Sequence, residues 1–136
     1  MEDPVIVITR YLVLKKLVND TTTLLAIKDY YVDGLSPSTI GYKYKISKFR
    51  VRGYIQRITD KTRNHLIATN IIRRVFPSIM NIEPVVIKVS NKYLCLLCDQ
   101  TFSTELMAEN HLKKKHKDLL NNVVNQIVQS IRKQVS

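Results

Sequence analysis

At 136 residues the chain has room for one domain or two small ones, and its 45% apolar share is that of an ordinary globular protein. Three glycines leave no place for a Gly-rich phosphate loop, and the apolar runs, such as Val5–Ile8, are far too short to span a bilayer. The net charge of +11 is unevenly spread: residues 1–40 sum to −1, residues 41–75 to +9 and residues 76–136 to +3. Six of the ten central cations are arginines, and such a concentrated basic field is the footprint of a phosphate-binding surface.

The elements follow in chain order. The acidic start Met1-Glu2-Asp3-Pro4 is not that of a signal peptide, and Asp3-Pro4 reads as a cap and first-turn proline. A helix to about Asn19 follows, with Val5, Ile8, Tyr11, Leu12 and Leu17 as one apolar stripe; the β-branched Val5–Ile8 run leaves a strand there as the alternative. Asp20-Thr21-Thr22 caps a second helix that carries Leu24, Leu25, Ile27, Tyr31 and Val32 and stops at Gly34. Ser36-Pro37 opens a short third helix through Ile40, Gly41 and Tyr44. Lys45-Ile46 is a turn, and Ser47 caps a fourth helix from Lys48 to about Ile58.

The run from Leu24 to Ile58 resembles the helix-turn-helix of resolvase-type and sigma-factor-type DNA-binding domains. Gly34-Leu35-Ser36-Pro37-Ser38-Thr39-Ile40-Gly41 and Ile46-Ser47-Lys48-Phe49-Arg50-Val51-Arg52-Gly53-Tyr54-Ile55 carry that resemblance. It implies that Ile40, Ile46, Val51 and Ile55 lock the two helices, with Gly41 where they approach closely. Two residues depart from the pattern: Lys45 stands where the turn often has glycine, and Gly41 replaces the usual alanine. The resemblance places the helix from Lys48 in the major groove of double-stranded DNA, with Ser47, Lys48, Phe49 and Arg52 toward base edges. Tyr42, Lys43, Lys45, Arg50 and Arg57 are then phosphate contacts. Phe49 either meets a thymine methyl or packs.

Thr62 is placed to cap a fifth helix with Leu66, Ile67, Ile71, Ile72, Val75 and Phe76, which Pro77 ends or kinks; Arg73 and Arg74 fall near its C-terminus, where they suit the helix dipole. Ile82-Glu83-Pro84 marks a boundary between a helical unit, 1–82, and a second unit, 83–136. Val85–Val89 reads as a strand, Ser90-Asn91-Lys92 as a turn, and Tyr93-Leu94 as the return.

Cys95-Leu96-Leu97-Cys98, twelve residues, His111, four residues, His116 is the spacing of a four-ligand zinc site. The two-residue gap lets both thiolates reach one ion, and the two histidines share one helix face. Both cysteines and two of the three histidines are thereby used. A closed four-ligand site has no open position for substrate, so no enzyme activity is expected, and committed thiolates point to a reducing, intracellular compartment, cytoplasmic or nuclear.

Residues 93–116 resemble a C2H2 zinc finger. Tyr93 and Phe102 hold its aromatic positions, Ser103 or Thr104 caps a helix from Glu105 to His116, and Ala108 stands where the family usually has leucine. The family's base-reading positions fall on Thr104, Met107 and Asn110, none of them arginine. Lys113, Lys114, Lys115 and Lys117 are phosphate contacts or a solvated face. Beyond His116, Leu119, Leu120, Val123, Val124, Ile127, Val128 and Ile131 extend the helix to about residue 134 as an amphipathic stripe. That stripe docks on the N-terminal helices or meets a second copy in a homodimer.

The expected fold is mostly α: an N-terminal helix-turn-helix bundle, then a ββα C2H2 finger with an extended C-terminal helix. The expected function is double-stranded DNA binding in transcription regulation, with zinc as cofactor, no membrane and no small-molecule substrate. A protein-interaction adaptor using Leu106, Met107 and the C-terminal stripe is the alternative, and RNA binding a third.

Overall fold

Six of the helices begin on a side-chain cap. Asp3, Asp20, Ser36, Ser47, Asn64 and Thr104 accept hydrogen bonds from Val5, Thr23, Thr39, Arg50, Ile67 and Met107 N–H groups at 2.9–3.2 Å. The computed structural model describes residues 3–135. Along them run α1 (Pro4–Leu17), α2 (Thr21–Tyr31), α3 (Pro37–Tyr44), α4 (Lys48–Thr59) and α5 (His65–Met80), then β1 (Val86–Val89), β2 (Lys92–Cys95), β3 (Thr101–Phe102), α6 (Glu105–Lys115) and α7 (Lys117–Val135). The chain is therefore mostly helical, with one small antiparallel sheet in the order β1-β2-β3.

Asp3 and Pro4 start α1 as a helix despite its β-branched first turn. The helix does not have a single apolar stripe. Ile8, Leu12, Val13, Leu14 and Leu17 are all buried, so apolar residues point in nearly every direction. The reason is position: α2, α5, α6 and α7 all pack against α1, which is the axle of the fold. One buried cluster runs from Ile8 through Ile72 and Ile79 to Val86, Cys95 and Leu112, and on to Leu120 and Ile131. Residues on both sides of position 82 share it. The Val85 N–H also donates to the Leu17 carbonyl at 2.9 Å, and Lys16 Nζ to the Ile82 carbonyl at 2.9 Å.

A second, smaller cluster holds α2, α3 and α4 together. Ala26, Ile40 and Val51 are buried there, with Leu35, Ile46 and Ile55 against them. Lys45 adopts a left-handed conformation, φ 58 and ψ 43, to end α3, and the Ile46 N–H returns to the Gly41 carbonyl at 2.9 Å.

Four expectations are corrected. The second helix ends at Tyr31, and Gly34 lies beyond it at φ +72. Asn64, rather than Thr62, caps α5, and Pro77 sits inside that helix, which continues to Met80. Proline in a last turn loses one hydrogen bond without having to end the helix. Arg73 and Arg74 are consequently mid-helix and solvent-facing. Finally, the helix after Thr104 is broken at His116 (φ −123, ψ 34), so α6 and α7 are separate elements.

The stripe of α7 is spent inside the chain. Leu120, Val124, Ile127, Val128 and Ile131 are buried, with α7 packed along α1 and α5. The homodimer expected through this helix finds that face already covered. Among the described residues no helix is long and apolar enough to cross a membrane.

Candidate metal centre and basic surface

The metal centre is built where β2, the turn after it and α6 meet. The Cys95 N–H donates to the Gln100 carbonyl, and the Asp99 N–H, at a left-handed residue, donates back to the Cys95 carbonyl. This tight turn brings Cys98 beside Cys95. Across it, Tyr93 pairs with Phe102 in the register of β2 and β3. Phe102 lies 4.7 Å, centroid to centroid, from the ring of His111 and fixes its orientation.

The four ligand atoms of Cys95, Cys98, His111 and His116 lie within 4.8 Å of one another. Cys95 Sγ stands 3.6 Å from His116 Nε2, and Cys98 Sγ 3.3 Å from His111 Nε2. Around a tetrahedral zinc a thiolate sulfur and an imidazole nitrogen are about 3.6 Å apart, so the donor set and its spacing are compatible with that ion. Burial, with His116 and Lys115 nearby, holds His111 below the usual histidine range and favours the neutral imidazole a metal needs. Burial pushes the Cys95 thiol up, while N–H groups of Leu97 and Cys98 directed at its sulfur oppose that rise. A bound divalent cation adds to their effect and favours the thiolate. Zinc here would cross-link the β2–β3 turn to α6 and to the break before α7; it would leave no coordination position for a reacting molecule.

Ala108, where the motif usually has a larger residue, is fully buried. The missing volume is met from outside: α6 rests on α1, and Lys15 of α1 pairs with Glu109 of α6 at 3.1 Å.

The basic residues singled out from the sequence lie on the surface formed by α3, its turn and α4. Ser47, Lys48, Phe49, Arg50, Arg52 and Arg57 are all exposed, as are Lys43 and Lys45. None of Lys48, Arg50, Arg52 and Arg57 is ion-paired among the described residues. Two aromatics stand out of this surface, Tyr42 at 90% exposure and Phe49 at 68%. Lys48 and Arg52 flank the Phe49 ring at 5.4 and 5.7 Å. Phe49 is thus not packed in the interior.

Lys43 differs from its neighbours. Its ammonium is 3.0 Å from Asp29, which is buried and also accepts from Tyr44 Oη at 2.6 Å. It holds α3 to α2 as well as facing solvent. The Ser47 hydroxyl is likewise engaged, as the cap of α4.

On α6, Lys113, Lys114 and Lys115 are exposed. Thr104 is a cap, while Leu106 and Met107 are exposed. His65, the histidine outside the metal set, packs its ring 5.1 Å from Tyr31.

Sequence reasoning did not reach Tyr11, Gly53 and Lys61. They line a groove of about 700 Å³ between α4 and α6, with Arg57 and Lys113 on its walls. The mid-helix glycine was the one local signal. The rest depends on how α6 docks on α1, which no spacing encodes.

Comparison with family models, with curated proteins and with solved structures gives no match for the chain.

Proposed function

We propose that this protein binds double-stranded DNA through α4 and regulates transcription, with a zinc-stabilised C2H2 finger formed by β2, β3 and α6 as its structural and auxiliary module. The observation that carries the reading is the first turn of α4. Lys48, Phe49, Arg50 and Arg52 project from it, exposed and without acidic partners, beside the exposed Tyr42 and Lys45. Unpaired arginines on a presented helix suit guanine edges and backbone phosphates. The geometry of α3 and α4 supports a helix-turn-helix. Gly41 lies at the close approach, Lys45 makes a left-handed turn, and Ile40, Val51, Ile46 and Ile55 pack between the helices.

The finger helix has no arginine at its reading positions, and Thr104 is occupied as a cap. It therefore serves to hold α7 and the sheet against α1 and to add lysines near the backbone.

Duplex binding measured over a range of salt tests this. Lys48→Ala and Arg52→Ala should each weaken binding by roughly tenfold, and loss of a phosphate contact should reduce the salt slope by about 1. Unchanged affinity and slope in both variants would exclude α4 as the reader.

An adaptor role has one observation in its favour: Leu96, Leu97, Leu106 and Met107 are exposed around the metal centre. A protein complex that survives high salt, with no duplex binding, would select that reading instead.

A further inference from the structure

The groove between α4 and α6 combines charge, open space and polar atoms without partners. Its walls bring together cations far apart in sequence: Arg57 from α4, Lys61 from just after it and Lys113 from α6. Lys15 also reaches the groove but is neutralised by Glu109 at 3.1 Å. Asp60, the other acid on the wall, accepts a hydrogen bond from Gln56 Nε2 at 2.8 Å. Arg10 adds a further cation at the rim. Counting Arg10, Lys15, Arg57, Lys61 and Lys113 against Asp60 and Glu109, the lining carries a clear positive excess.

Lys61 is held in place rather than free in solvent. Its ammonium lies 4.5 Å above the Tyr11 ring and donates to the Arg57 carbonyl at 3.1 Å. Burial holds it below the usual lysine range; Asp60 opposes this, and the nearby Arg57, Lys113 and Lys15 reinforce it. An anion would relieve that mutual repulsion. The buried hydroxyls of Tyr11 and Tyr54, which border the groove and its continuation toward Arg50, have no hydrogen-bond partner in the chain.

Gly53 gives an independent indication. It lies inside α4, where glycine weakens a helix, and a Cβ there would meet nothing within 4 Å. No packing requires it. What the missing side chain leaves is a clear wall facing α6, over which a ligand can approach the α4 backbone.

We propose that the groove between α4 and α6 is a phosphate-binding site held by Arg57, Lys61 and Lys113, in which a backbone phosphodiester of the bound duplex sits between the two helices. Only the source of the phosphate rests on the duplex-binding reading above; the anion site itself does not. With a phosphate seated there, α4 and α6 would hold one strand from both sides.

The test has two arms. In the first, pyrophosphate is titrated into the zinc-loaded protein while backbone amide resonances are followed by NMR. Saturable shifts are expected at Gly53, Arg57, Leu106 and Lys113, and should be lost in the Lys61→Gln, Lys113→Gln double variant. No saturable shift at the groove would overturn the site, whatever the protein does with DNA. In the second arm, duplex affinity is compared for wild type, the double variant and Gly53→Leu, which fills open space without a clash. Weakening of about tenfold in both, with a salt slope lower by roughly 2 in the double variant, assigns the phosphate to the duplex backbone. Saturable pyrophosphate binding with unchanged duplex affinity would overturn that assignment and leave a site for a free phosphate compound. Pyrophosphate binding by a protein with no duplex affinity would defeat the function proposed above while sustaining the groove.

Discussion

A Cβ added to Gly41 would stand 2.7 Å from the Ile46 carbonyl oxygen and 3.3 Å from the Lys48 N–H nitrogen. Both neighbours are backbone and cannot swing away. The glycine therefore sets how closely α3 can approach the start of α4, and so how far α4 projects. Gly41→Ala should cost about 1–3 kcal/mol in urea unfolding despite alanine's better helix propensity. A stabilised Gly41→Ala would show that the approach is looser than described.

Lys45 provides the opposite case in the same turn. Its φ of 58 strains any residue with a side chain. Lys45→Gly should therefore gain up to about 1 kcal/mol of folding stability, less the entropy glycine adds to the unfolded chain. In the function proposed here it would weaken duplex binding at the same time, because it removes a cation. Calorimetry and binding on one variant would separate the two effects.

Metal analysis should find one zinc per chain, and Cys98→Ser should abolish tight binding. The consequence should not stay local. Cys95, Ala108 and Leu112 belong to the same buried cluster as α1 and α7. Chelation is expected to cost at least about 3 kcal/mol and to lower Tm by roughly 10 °C, with loss of exchange protection in α1 as well as α6. Unchanged melting on chelation would contradict a structural metal.

Glu105, in the first turn of α6, has its carboxyl pushed up to about 7 by burial first and by its hydrogen bond and charge contact with Asp20. The folded state holds this proton where the unfolded chain has released it. Stability from this pair is complete below the ordinary glutamate range and is lost as pH rises through about 7. Half of the group faces solvent, so the loss should be roughly 1 kcal/mol between pH 5 and 8. The zinc ligands change in the opposite sense, since acid weakens metal binding. The measurement is therefore the difference in Tm between wild type and Glu105→Gln across that range. A constant difference would remove the shared proton from the account.

The parts of the fold legible in the sequence are those with short-range causes. Five caps, at Asp3, Asp20, Ser36, Ser47 and Thr104, follow from side chains that satisfy N–H groups two or three residues on. The metal cluster is legible because its ligand spacing is a property of one turn and one helix. Thr62 against Asn64 was not decidable locally, because either residue type can cap. The break at His116 was hidden for a different reason. The apolar pattern continues across it, but the imidazole must reach back to Cys95 while α7 turns onto α1. The all-round burial of α1 and the groove beside α4 arise from packing of distant segments, which periodicity does not record.

The most direct measurement is amide NMR of the zinc-loaded protein with and without a DNA duplex at moderate salt. The account predicts that the largest shifts fall on Ser47 to Arg52 and along the α4 side of the groove at Gly53 and Arg57. Shifts that are absent, or confined to Leu96, Leu97, Leu106 and Met107 around the metal centre, would contradict it.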